Sequence, residues 1–300
     1  MTPGFGQRLT AAFAADGRLC VGIDPHSYLL GEWNLSDDAS GVREFGLRVV
    51  EATIGRAAII KPQVAFFERH GSAGYAALED VLTAARDAGL LVIADVKRGD
   101  VGTSVEAYGE AWLTPGSPLE ADAMTISAFQ GVGSIAAPHD LALAHGKGLF
   151  VLAATSNPEA ATLQTATVTS GPTAAQSVAA SIVSDVHDWN STEIDPGSTA
   201  RLGSTARLGS TGRLGSTGVV IGATVGLADY GIAPASLAGT PILAPGFGHQ
   251  GALVSDATRL FGAASANVIV SASRSILAAG PSGIAAAIDA QSAEIAGAFA

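Results

Sequence analysis

The stretch LLVIADVKRGDVGTS, Leu90 to Ser104, decides how the rest of the chain is read. It begins as a continuous apolar run of the kind that forms a strand buried on both faces. It ends in three charges, Asp95, Lys97 and Asp100. Side chains alternate faces along a strand, so Asp95 and Lys97 are expected to point the same way, toward the interior. A carboxylate and an ammonium at the mouth of an apolar strand are costly unless they pair or do chemistry. Asp100 lies past the strand, on a loop opened by Gly99 and Gly102. Taken alone, D-x-K-x-x-D is short enough that a plain buried ion pair explains it as well as a reactive site does.

Working outward, similar short runs rich in Val, Ile and Leu recur along the chain. The pattern predicts strands at 19–23, 58–62, 91–96, 123–126, 149–153, 219–222, 242–244 and 268–270. Amphipathic stretches alternate with them, at 40–54, 74–88, 173–189 and 256–261, and an Ala-rich helix at 283–298 closes the chain. Strand alternating with helix implies parallel pairing through crossovers. Eight such units predict an α/β fold of the (β/α)8 TIM-barrel type, one domain spanning residues 1–300. A doubly wound open sheet is the alternative. It calls for a Gly-rich phosphate loop after the first strand, where this chain has Asp24-Pro25. Asp24, Lys61, Asp95, Lys97, Ser156, Gln250 and Arg274 all fall at or just past the C-terminal end of a predicted strand, the ends that converge on a barrel's active-site mouth.

Bulk properties exclude some partners. The net charge is −11 and 48% of residues are apolar. A core is affordable, whereas nucleic acid or an anionic membrane calls for a basic face. The single cysteine, Cys20, forbids an internal disulfide and fits a cytoplasmic setting. The first residues lack the apolar core of a signal peptide, and no apolar run approaches a membrane span. The histidines show no metal-ligand spacing. One segment breaks the alternation: Gly197 to Gly218 repeats ARLGST, ARLGST, GRLGST. It is expected to be a repetitive surface loop at 197–218 rather than a β-helix, since three copies cannot bury a core.

Six motifs in order then resemble the orotidine 5′-phosphate decarboxylase family, in its longer bacterial branch. They are VGIDP (Val21 to Pro25), IKPQVAFFERHG (Ile60 to Gly71), DVKRGDVGTS (Asp95 to Ser104), TSNPE (Thr155 to Glu159), APGFGHQG (Ala244 to Gly251) and SRSI (Ser273 to Ile276). The resemblance implies decarboxylation of a pyrimidine nucleotide at C6 in UMP biosynthesis, with no cofactor and no metal. A carbanion at C6 has no ring carbonyl placed to delocalise it well, so preorganised charge must supply the stabilisation. Lys97 is the candidate for stabilising that charge and protonating C6. Asp95 and Asp100 would hold its ammonium charged and aimed, and Lys61 would complete a Lys–Asp–Lys–Asp array. The resemblance further implies a homodimer with shared active sites, Asp100 reaching into the partner's. Asp24 is a candidate for the ribose hydroxyls, Arg274 for the phosphate, Ser156 and Gln250 for the pyrimidine edge, and Ser104 for ribose across the dimer. Two other readings stand beside this one. The first is a magnesium-dependent phosphosugar decarboxylase or aldolase of the same suprafamily, which shares the D-x-K-x-x-D strand. The second is a phosphate-binding barrel without activity.

Overall fold

The computed structural model describes residues 3–194, 213–248 and 251–299. Each predicted apolar run forms a strand: β1 (Leu19–Ile23), β2 (Ile59–Pro62), β3 (Leu91–Arg98), β4 (Ala123–Ile126), β5 (Gly148–Ala154), β6 (Thr217–Ile221), β7 (Ile242–Pro245) and β8 (Val268–Ala272). All neighbours pair in parallel, and β8 returns to β1. The (β/α)8 expectation holds. The exception is the β6–β7 connection, which carries two short 3₁₀ turns, Leu227–Tyr230 and Pro234–Leu237, in place of an α-helix.

Alternation along the strands divides the core in two. Leu19, Val21, Ile60, Val92 and Ala94 face outward and pack beneath the surrounding helices. Cys20, Ile59, Leu91, Ile93, Ala123, Phe150, Leu243 and Ile269 face inward and fill the barrel. The interior therefore leaves only its C-terminal mouth for polar groups.

The opposite end is plugged. The N-terminal helix Phe5–Asp16 sends Phe5, Leu9 and Ala12 into the interior cluster, a spacing of four and three residues that keeps them on one helix face. The ring of Phe5 meets Phe150 edge-on at 5.9 Å. Gly148 lets it approach, since a Cβ there would lie 2.5 Å from the Phe5 ring. Burying a side chain of this size stabilises by about 2–3 kcal/mol.

The repeat differs from its expectation at its end. Residues 197–212 lie outside the described residues. From Leu214 onward the segment is buried rather than a surface loop, and strand β6 begins two residues earlier than expected, at Thr217. Leu214 joins the interior cluster beside Phe5 and Leu9. Ser216 is held by Glu193, which accepts from its backbone N–H and its hydroxyl, both at 2.7 Å. Leu214 to Thr217, the end of the third copy of the hexapeptide, are thus part of the barrel floor.

Candidate active site

Counting inward positions by twos reaches the mouth on several strands: Ile59 leads to Lys61, Ile93 to Asp95, Ala123 to Thr125 and Ile269 to Ser271. These four side chains line a cavity of about 410 Å³ at the C-terminal ends. Asp95 is its electrostatic centre. Its carboxylate accepts four hydrogen bonds, two per oxygen: Lys61 Nζ at 2.9 Å and Gln63 Nε2 at 2.8 Å on Oδ2, and Lys97 Nζ at 2.6 Å and Thr125 Oγ1 at 2.9 Å on Oδ1. Burial opposes the charge on Asp95, but the two ammonium groups outweigh it and hold the carboxyl well below its usual range. Burial likewise opposes the charge on Lys61, and the carboxylates of Asp95 and Asp24 more than offset it, so its ammonium is held more firmly than in water.

Asp95 and Lys97 do share the mouth, but simple alternation is not the reason. Between Ala94↔Met124 and Arg98↔Ile126, β3 spends four residues against two on β4. This bulge places Lys97 at φ +47°, in the left-handed region. That conformation costs a residue with a side chain about 1–2 kcal/mol. The Lys97 N–H leaves the strand ladder and donates to Thr125 Oγ1 at 2.9 Å. Beyond it, Arg98 is pinned by Glu68 and the Tyr75 hydroxyl. Gly99 passes so close to β4 that a Cβ would lie 2.3 Å from the Ser127 carbonyl oxygen. The Lys97 side chain is 48% exposed and that of Asp95 only 9%. Lys97 is therefore the group that can meet a ligand.

The remaining walls come from the other strand ends. Asp24 follows β1; its Oδ2 accepts from the Ser273 hydroxyl, and its buried Oδ1 has no hydrogen-bond partner among the described residues. Ser156 follows β5 and lines the cavity. Gly222 makes room for it, since a Cβ there would lie 2.9 Å from the Ser156 Cβ. Arg274, Ser273 and Ser275, just past β8, form the end of the cavity beside Gly246 and Phe247. Leu152, Val220, Leu243 and Pro245 make an apolar wall, and their strands lie across the barrel from β2 and β3. Beneath the charges, burial pushes the Cys20 thiol up to about 12, so it is a neutral core group.

Of the expected residues, Lys61, Asp95, Lys97, Asp24, Ser156 and Arg274 come together on this cavity. Asp100 and Ser104 do not line it. Asp100 Oδ1 accepts from the N–H of Val101, and Ser104 is exposed on the helix Gly102–Leu113. Gln250 lies outside the described residues. Gln63, Thr125 and Ser271 escaped the sequence reading, although counting by twos from Ala123 and Ile269 finds the last two. No group of three His, Cys, Asp or Glu side chains among the described residues has metal-site geometry.

Comparison with known proteins places the whole chain in one family. The orotidine 5′-phosphate decarboxylase / HUMPS family model matches residues 17–288. An orotidine 5′-phosphate decarboxylase of Salinispora arenicola is 45% identical over 277 residues, covering 92% of this chain and 91% of that protein. One from a Nocardioides species is 46% identical over 273 residues, covering 91% of each. A crystal structure from Streptomyces avermitilis, of a candidate enzyme of the same name, superposes with a TM-score of 0.86 at 43% identity, covering 99% of this chain and 96% of that one. The structure of Leishmania donovani OMP decarboxylase gives 0.71 at 26% identity, covering 99% of this chain and all of that one. The chain belongs to the orotidine 5′-phosphate decarboxylase / HUMPS family.

Proposed function

We propose that the protein decarboxylates orotidine 5′-phosphate to uridine 5′-phosphate, with Lys97 as the proton donor. The observation that carries this reading is the half-exposed Lys97 ammonium, fixed 2.6 Å from a buried carboxylate at the cavity's charged wall. With the pyrimidine against that wall, the bond from C6 to its carboxyl group breaks, carbon dioxide leaves, and the electron pair stays on C6. The ammonium stabilises that charge without reorganising, because Asp95 already holds it in place. A proton then passes from Nζ to C6, and the neutral amine recovers its proton from solvent.

Each other residue has a role in the same pose. The unpartnered Oδ1 of Asp24 is an acceptor suited to a ribose hydroxyl, since a buried lone pair left empty is costly. Arg274 makes no ion pair with a described residue and lies at the end of the cavity near β7 and β8, the usual phosphate end of a barrel. Its planar fork suits a phosphate. Ser156 and Gln250 read the pyrimidine edge. Asp100 and Ser104 serve the second site of a homodimer. That assignment is supported by their position off this cavity and by the exposed apolar side chain next to Asp100, Val101 at 53%. The setting is cytoplasmic, and no helix among the described residues is long and apolar enough to cross a membrane.

The test is the absorbance change of orotidine 5′-phosphate, with and without a chelator. Turnover unaffected by chelator is expected. Turnover that vanishes and returns with magnesium would favour the phosphosugar branch of the family, and binding without turnover would favour a non-catalytic barrel.

A further inference from the structure

We propose that Thr125 is a positioning residue for the reaction: its buried hydroxyl locks the β3 bulge that presents Lys97. The inference rests on the proposed role of Lys97. Thr125 is the one side chain bonded to both halves of the Asp95–Lys97 unit among the described residues. Its Oγ1 accepts from the backbone N–H of Lys97 and donates its proton to Asp95 Oδ1, each at 2.9 Å. The same Oδ1 receives the Lys97 ammonium at 2.6 Å. Backbone and side-chain tip of one lysine are thus tethered through two atoms, Thr125 Oγ1 and Asp95 Oδ1.

The geometry needs such a tether. Lys97 holds a left-handed φ that an L residue with a side chain leaves readily. Its N–H has left the strand ladder, so without the hydroxyl it would be a donor with no protein acceptor. Thr125 can act as the anchor because it is itself fixed. It is 1% exposed, lies on the regular part of β4 opposite Phe150 of β5, and is stiff at χ1. Although Thr125 lines the cavity, its single proton is committed to Asp95, so it acts through Lys97 rather than on the substrate.

Two conservative variants separate the clamp from packing. Thr125→Val keeps shape and branching but loses the hydroxyl, and Thr125→Ser does the reverse. With orotidine 5′-phosphate as substrate, T125V is expected to lose kcat by on the order of tenfold to a hundredfold, the scale of an ångström-sized misplacement of a reacting group. KM should stay within about twofold, because the lost interaction matters mainly in the transition state. T125S should keep most of the wild-type kcat. T125V with near wild-type kcat, or T125S falling as far as T125V, overturns the proposal. A crystal structure of T125V adds a readout independent of rates: Lys97 is expected to leave the left-handed region, and φ remaining near +47° overturns the clamp. Should T125V fail to fold, T125S carries the test alone, since wild-type stability with lowered kcat would mean that the methyl group and not the hydroxyl does the positioning. Wild-type protein that fails to turn over the substrate would sink the functional reading and leave the structural readout standing.

Discussion

A carboxylate has about four lone-pair directions, and at Asp95 all four are filled by donors from three strand ends. Asp95→Asn therefore leaves Lys61 buried with its nearest counter-charge gone. We expect it to destabilise the fold by about 3–5 kcal/mol, read from urea unfolding; a change under about 1 kcal/mol would show that the pair is not structural. The pH dependence follows from the signs. Asp95 ionises in the folded chain well below its ordinary 3.8, so its contribution is complete above about pH 4 and is lost as the pH falls through the folded value. Lys61 is raised above its ordinary 10.5, so its contribution is complete below that pH and is lost only as the pH rises through the still higher folded value. The stability gap between wild type and Asp95→Asn should be flat near neutrality and close as the pH drops from about 4 toward 2. Lys97→Ala should behave oppositely: stability within about 1 kcal/mol, because the side chain is half exposed, and kcat reduced by several powers of ten. A variant keeping more than about a tenth of wild-type kcat would remove Lys97 from the proton-donor role. The charged residues were legible because charge at the end of an apolar strand needs a reason. The bulge was not, since a lysine rather than a glycine occupies its left-handed position. Gln63 also escaped, being an amide without charge to mark it.

At the scale of elements, the barrel floor is where sequence and structure part. Phe5, Leu9 and Ala12 were spaced like a helix face, but a short N-terminal stretch carries no sign that it turns into a barrel. The hexapeptide repeat looked uniform, yet its third copy has a fixed place because its last residue, Thr217, opens β6 (TGVVI). Removing Arg201 to Gly212 deletes two units and leaves one copy in register. Glu193 already grips Ser216 across the junction, so the six residues that remain, reaching about 20 Å, can close the gap. We expect unchanged kcat/KM and unfolding free energy. Leu214→Ala should instead cost about 2 kcal/mol, because it opens a space beside Phe5 and Leu9. Equal effects of the two changes in a denaturation series would contradict the assignment of the third copy to the floor.

At the scale of the whole molecule the barrel is two-faced. Chemistry collects at the C-terminal strand ends. The other face is closed by the N-terminal helix and an ion network in which Arg8 meets Asp122 at 2.6 Å and Lys147 meets Glu120 at 2.7 Å. Eight strands could be counted in the sequence; the exposed surface could not, because exposure belongs to the folded chain, where Phe129 stands 74% exposed. If Asp100 completes a neighbour's site, Lys97→Ala and Asp100→Ala proteins are each inactive alone. Mixing them with subunit exchange should restore up to about a quarter of wild-type activity, since half of the dimers are mixed and each holds one intact site. No recovery, with exchange verified by mass, would place Asp100 in its own subunit's chemistry. The closed face has a practical consequence. The first helix, the last residue to stack on Arg18, Phe299 at 5.1 Å, and the return of the chain at Arg213 and Leu214 all gather there. A reporter module or affinity handle joined between Ile194 and Arg213 would therefore be attached on the blind side of the enzyme, a barrel's depth from the catalytic mouth.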